Sequence, residues 1–214
     1  MLKKKNRVSS IYPKKRCKDI FFVNLDDGST LEISNSIILS ESITEGKELD
    51  ASTLADLLSK QEYHNLKNAG LSLLSYRMRS KKELYNRLIE KKYDSTNIET
   101  LLIDFEKNGL INDKEFGLAF SRDQIRQNSV GPIALKYKLK KHISSDDVIS
   151  MISFTVYNEI DIKRIIFKIL KKYNSDHIKS DKILREKIIN KLKRKGHYWQ
   201  DINDSINEYI ESDY

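Results

Sequence analysis

Three pairs of apolar residues, each four positions apart, recur at nearly fixed spacing and constrain the fold more than any other feature of the sequence. Leu84/Leu88, Leu135/Leu139 and Ile188/Leu192 are each followed by a basic stretch and a polar break. A second pair then opens, Ile98/Leu102, Val148/Ile152 and Ile202/Ile206. The gap between pairs is 10, 9 and 10 residues, and the units recur after 51 residues (Leu88 to Leu139) and 53 (Leu139 to Leu192). Residues four apart share one helix face. The pattern therefore predicts one helix ending at each first pair and another opening at each second pair. A longer helix is predicted ahead of each, roughly over 53–77, 113–127 and 160–173. The unit is three helices of about fifty residues, used three times. Such a unit cannot bury its apolar faces alone, so the expectation is a stacked, elongated array.

Scarcity of helix breakers supports this. The 214 residues include only 7 Gly and 2 Pro, too few for a sheet sandwich or barrel with its frequent turns. From residue 51 onward the pattern is helical. Ile162, Ile165, Ile166, Ile169 and Leu170 form one apolar stripe, and Ile98, Leu101, Leu102 and Phe105 another. Ser80-Lys81-Lys82-Glu83 reads as a capping box and Asn112-Asp113-Lys114-Glu115 as a second. Pro132 suits a first helical position, and Gly109 and Gly196 suit left-handed C-caps. Residues 1–50 read differently. Two apolar runs, Ile20 to Leu25 and Thr30 to Ile33, flank Asp26-Asp27-Gly28, a strong hairpin signal. A second strand pair is expected to involve Ile11 or Ile37-Ile38-Leu39. The predicted fold is mainly α, with a β-rich module over 1–52 and three-helix repeats over 53–112, 113–158 and 159–214.

Charge is unevenly placed. The chain carries 39 Lys+Arg against 31 Asp+Glu, a net +8. Residues 1–18 hold eight bases and no acid, and residues 161–197 hold thirteen bases and four acids. This asymmetry points to a polyanion or an acidic protein surface as partner. The arm over 1–18 is expected to be a free terminus that positions nothing. A single cysteine, Cys17, permits no internal disulfide, which fits a cytoplasmic location. No apolar run is long enough to span a membrane, and the basic start has no apolar core of a secretory signal. His64, His142, His177 and His197 have no ligand partner at i+3 or i+4, so surface or turn positions are expected. Asp26-Asp27 suits a turn better than a metal. Gly70 is isolated and no phosphate-binding G-x-x-x-x-G-K-S/T is present. No cofactor is expected.

Several segments resemble one family. Arg77-Met78-Arg79-Ser80-Lys81-Lys82-Glu83-Leu84, followed by Leu88, is similar to the R-x-R-S-x-x-E-L-x-x-x-L signature of RecX, the bacterial regulators of the RecA recombinase. The run from Gly109 through Phe116, with Ala119, Phe120 and Arg122, resembles that family's G-L-L-D-D-x-R-F-A segment. Gly131 through Leu135 and Leu139 match its G-x-x-x-L-x-x-x-L helix. Lys193-Arg194-Lys195-Gly196 with Trp199 and Ile202 resemble its third-repeat motif. Lys92-Tyr93 and His142 stand where the family has Gly, and Asn112 replaces its first Asp. Residues 1–60, with Gly46-Lys47-Glu48-Leu49, resemble the extra module of longer members. The resemblance implies a non-enzymatic protein, here expected to be monomeric, that binds RecA–single-stranded DNA filaments and inhibits ATP hydrolysis and strand exchange.

Helical geometry nominates the contacts. With Ile162, Ile166 and Ile169 inward, Arg164, Lys168 and Lys171 point outward. With Leu184, Ile188 and Leu192 inward on a helix over 180–195, Lys182, Lys193 and Arg194 point outward. Arg77 and Arg79 form a second candidate pair, with a structural role at a helix end as the competing reading. Trp199 is of a type that stacks on bases, but its place beside Ile202 and Ile206 points to the core. An alternative function is a DNA binder of tandem three-helix units acting without RecA. It would read bases through Arg, Asn or Gln at a helix N-terminus, whereas these candidates are lysine-rich and lie toward C-terminal ends.

Overall fold

The computed structural model describes residues 5–15, 17 and 19–212. Within them lie eleven helices and four strands. They fall into two compact units, one of residues 1–75 and 88–101, the other of 76–87 and 102–214.

In the first unit, β1 (Lys5–Pro13), β2 (Ile20–Leu25), β3 (Thr30–Ser34) and β4 (Glu48–Asp50) form an antiparallel sheet in the order β3-β2-β1-β4. The hairpin of β2 and β3 turns at Asp26-Asp27-Gly28. Both aspartates serve that turn. The Arg7 amide donates to Asp26 Oδ1 at 3.0 Å, and the Ser29 amide donates to Asp27 Oδ1 at 2.9 Å. Ile11 lies in β1, but Ile37-Ile38-Leu39 belong to α1 (Asn35–Ser40) and not to a strand. Ile37 and Ile38 are both buried. Two successive inward side chains fit a helix turn, whereas a strand would alternate them.

The basic arm also departs from expectation. Over Lys5–Pro13 it is a central strand, paired with β2 on one side and β4 on the other. Three of its described charges are engaged within this module. Lys5 pairs with Glu48 at 2.8 Å, Lys14 pairs with Glu32 at 2.6 Å, and Arg7 Nε donates to the Gly46 carbonyl at 3.0 Å. Lys3, Lys4, Arg16 and Lys18 lie outside the described residues. The long helix α2 (Ala51–Tyr76) buries Leu57, Gln61 and Leu66. Gln61 is satisfied there by accepting from the Ser34 amide at 2.6 Å.

Helices α3 (Lys81–Glu90) and α4 (Ser95–Lys107) bury Leu84, Leu88, Ile98, Leu101, Leu102 and Phe105. Lys92, standing where the family pattern has Gly, takes φ 70, the left-handed conformation that glycine favours.

The second unit continues with α5 (Asp113–Asn128), α6 (Pro132–Lys140), α7 (Asp146–Glu159), α8 (Ile162–Leu170), α9 (Ser175–Ser180), α10 (Lys182–Arg194) and α11 (Trp199–Glu211). Its caps follow the sequence. The Glu83 amide donates to Ser80 Oγ at 3.1 Å, and Asn112 Oδ1 accepts from the Lys114 and Glu115 amides. Pro132 opens α6. Two details differ. The helix expected over 160–173 is α8, and a short helix that was not expected, α9, follows it, where Asn174 caps the new start by accepting from the His177 amide at 3.1 Å. The second repeat's register also moves by one residue. Ile149 is buried and Val148 only half-buried, so the inward set is Ile149, Ile152, Ser153 and Val156. This matches Ile98, Leu101, Leu102 and Phe105 in the first repeat and Ile202, Ser205, Ile206 and Tyr209 in the third. The gap of nine becomes ten, and all three repeats share one inward spacing.

The second and third repeats are joined backbone to backbone. The Gly131 amide donates to the Lys195 carbonyl at 2.8 Å, and the Ile133 amide donates to the Gly196 carbonyl at 3.0 Å. A Cβ on Gly131 would lie 2.4 Å from the Gly196 oxygen, and one on Gly196 would lie 2.3 Å from the Ala134 nitrogen. Gly196 also has φ 83, ending α10 with the His197 amide returned to the Leu192 carbonyl. His197, 2% exposed, completes the splice through Nε2, 3.0 Å from the Ser129 carbonyl. A carbonyl only accepts, so Nε2 carries the proton. His197 is therefore a buried turn residue and not a surface one.

Two predictions follow from this splice. Gly131→Ala or Gly196→Ala should each destabilise the protein by about 2–3 kcal/mol, since backbone must move to admit a methyl group. Urea unfolding checks this, and unchanged midpoints would contradict it. Burial holds the His197 imidazole below its ordinary value of 6.5, and burial against Phe116 and Phe120 does the same to His142. Unfolding then takes up protons, so stability is full above about pH 6.5 and falls as pH drops toward the lowered native values. His197→Asn should flatten that slope in unfolding curves measured from pH 7.5 to 5.

Candidate nucleic-acid interface

The third repeat concentrates base on two helices. Helix α8 carries Lys163, Arg164 and Lys168 with no acid, and α10 carries six bases with Glu186 as its one acid. The arrangement arises because the inward positions of both helices are taken by Ile and Leu. On α8 these are Ile165, Ile166, Ile169 and Leu170; on α10 they are Ile188 and Leu192. Arg164, Lys168, Lys171, Lys182, Lys193 and Arg194 are all exposed.

They do not form one cluster. Lys193 and Arg194 share a shallow groove with Lys187 and Asn190, all on α10. Among the described residues, Lys187, Lys193 and Arg194 form no ion pair with a carboxylate. The Lys193 ammonium lies 4.9 Å from the centre of the Trp199 ring. Trp199 is 54% exposed, which corrects its expected place in the core. It is the first residue of α11, ahead of Ile202 where the buried stripe begins, so its ring stays largely in solvent. Cation and exposed ring side by side are the pairing with which proteins hold single-stranded nucleic acid, phosphate on one and a base face on the other.

Lys168 occupies a different site. Its ammonium donates to the Arg126 carbonyl at 2.9 Å, at the C-terminal end of α5. Lys195 Nζ donates to the Asn128 carbonyl at the same end. Both lysines line a cavity of about 180 Å³ together with Lys172 and Lys191. Burial pushes the Lys195 ammonium below its ordinary value, and the nearby charges of Lys191 and Lys172 add to the effect. Lys172, Lys187, Lys191 and Lys195 escaped the sequence reading, which took only residues opposite the stripes. The i, i+4 spacing of Lys168/Lys172 and Lys191/Lys195 was the available signal. Arg164 and Lys182 line neither the groove nor this cavity.

Arg77 and Arg79 are engaged internally. Both guanidiniums clasp the Glu83 carboxylate, Arg79 at 2.6 Å. Burial alone would raise the Glu83 carboxyl, but the Arg77 hydrogen bond and the two positive charges outweigh it and hold the group below its ordinary value. The Arg79 side chain is only 11% exposed, whereas that of Arg77 remains half-exposed. Among the described residues, no group of three or more His, Cys, Asp or Glu is placed to hold a metal ion. No helix there is long and apolar enough to cross a membrane.

The chain is similar to known proteins in sequence and in fold. Residues 67–102 match the family model for the first three-helix domain of RecX. A regulatory protein RecX of Bacillus velezensis is 28% identical over 204 residues, covering 94% of this chain and 76% of that protein. One of Clostridium acetobutylicum is 24% identical, covering 95% and 96%. In fold, a crystal structure of regulatory protein RecX superposes with a TM-score of 0.76 at 20% identity, covering 95% of this chain and 99% of that one. RecX from Lactobacillus salivarius gives 0.63 at 22% identity, covering 69% and 96%. The signature at Arg77 to Leu88, the likeness along nearly the whole sequence and the shared fold make this chain similar to the RecX regulatory proteins over almost its full length.

Proposed function

We propose that this chain binds RecA–single-stranded DNA filaments and restrains RecA's ATP hydrolysis and strand exchange, with no chemistry of its own. Similarity to the RecX regulatory proteins along nearly the whole chain supports the partner. The observation that carries the mode of binding is the α10 groove, where Lys187, Lys193 and Arg194 stand without carboxylate partners beside exposed Trp199. A RecA filament wraps DNA phosphate along a periodic surface, and lysines on a rigid helix meet phosphate without reading sequence. Most of these bases lie in the last turns of α10. That placement favours phosphate contact over the base reading of a recognition helix, which uses its N-terminal residues. Exposed Trp199 gives direct contact with single strands some independent support.

Reversal of Lys187, Lys193 and Arg194 to Glu should strongly weaken inhibition of RecA's DNA-dependent ATPase. Exposed as they are, each should change stability by less than about 0.5 kcal/mol. Loss of three phosphate contacts should lower the salt slope of binding by about 2 on single strands. Lys168 is left intact in this variant because it caps α5. Reversal of Lys67, Lys107 and Lys114, exposed lysines elsewhere, serves as the control. Inhibition lost in the control and kept in the α10 variant would refute the assigned surface. Binding measured on bare and on RecA-coated strands separates the two partners, and equal binding to both would favour a DNA binder acting without RecA.

A further inference from the structure

The cavity between α5, α8 and α10 holds more positive charge than the fold requires. Lys168, Lys172, Lys191 and Lys195 line it with Asn128 and Ser129, and no carboxylate does. The local structural need is small. A helix C-terminus carries about half a negative charge, and two lysines already meet it, Lys168 at the Arg126 carbonyl and Lys195 at the Asn128 carbonyl. Lys191 donates to the Tyr173 hydroxyl at 3.1 Å, a neutral acceptor. Lys172 has no side-chain partner among the described residues. Four like charges around one small cavity, two of them half-buried, repel one another unless an anion joins them.

We propose that this cavity binds a compact oligophosphate, either free or as the phosphate tail of a nucleotide. A phosphodiester strand presents one charge per nucleotide along a line and suits an extended track such as the α10 groove. A pyrophosphate or triphosphate concentrates several charges at one point and suits four lysines that line a single cavity of about 180 Å³. Asn128 and Ser129 also line it, the splice of Gly131 holds the Lys195 backbone, and the Asn128 carbonyl holds the Lys195 ammonium.

Titration calorimetry of the full chain with pyrophosphate, tripolyphosphate, ATP and an unphosphorylated oligothymidine tests this at low salt. At least one of the three oligophosphates should bind at a single site, with affinity at least tenfold lower in Lys172→Met and in Lys191→Met. ATP binding as tightly as tripolyphosphate would assign a nucleotide tail, and ATP binding more weakly would assign the free ion. Without ligand, Lys172→Met should melt at or above the parent temperature, because repulsion is removed, and should lose the ligand-induced rise. Reversal at Lys187, Lys193 and Arg194 should leave this binding in place. No binding by the oligophosphates, or binding undiminished in both Met variants, would overturn the proposal. So would an effect of those variants on the oligothymidine alone. RecA is absent from the experiment, so its failure leaves the filament reading standing.

Discussion

Two turns that touch through bare backbone organise the second unit. Gly131 and Gly196 let the α5–α6 turn and the α10–α11 turn approach until amide meets carbonyl. A side chain at either position would force them apart. The hydrogen bonds are buried beside His197, where an unpaired backbone group would cost about 1–3 kcal/mol. This contact fixes α6 against the end of α10, so the relation between two successive repeats is set by geometry and not by apolar burial alone. Apolar packing is more tolerant. The second repeat carries Ser153, and the third Ser205, where the first has Leu101 or Leu102, and the helices still pack.

The same contact positions charge. Lys195 precedes Gly196, so its carbonyl serves the splice while its side chain reaches back to Asn128 at the end of α5. Lys191, one turn earlier, follows it toward the same cavity, while Lys187, Lys193 and Arg194 face the outer groove. One short helix thus displays two basic surfaces of different shape. The inner is concave, and burial there, with the charges of Lys191 and Lys172 adding to it, lowers the affinity of Lys195 for its proton, while the outer is open and adjoins an indole ring.

Much of this was legible in the sequence. The repeat spacing, the caps at Ser80 and Asn112, Pro132 at a helix start and the Asp-Gly hairpin are local signals with local causes, and all are present in the fold. What failed depended on partners distant in sequence. Val148 and Ile149 are equally apolar, and only packing decides which turns inward. Ile37-Ile38 has strand propensity but sits where the chain must turn. Lys5 and Arg7 read as a solvated arm until β2 and β4 flank them. Trp199 has the spacing of the stripe, but it opens α11 ahead of the first buried position at Ile202 and stays exposed. Arg79 matched the family signature, and its clasp on Glu83 explains that motif through folding. The lysine cavity was invisible for the same reason, since its members come from three helices.

The central functional claim is that the third repeat's basic helices meet the filament. Hydrogen–deuterium exchange of the full chain, free and bound to RecA-coated single-stranded DNA, addresses it most directly. The account predicts that bound filament slows exchange over residues 162–172 and 182–200, with the strand module over 20–34 unchanged. Protection confined to residues 5–50, with α8 and α10 exchanging as in the free protein, would contradict it.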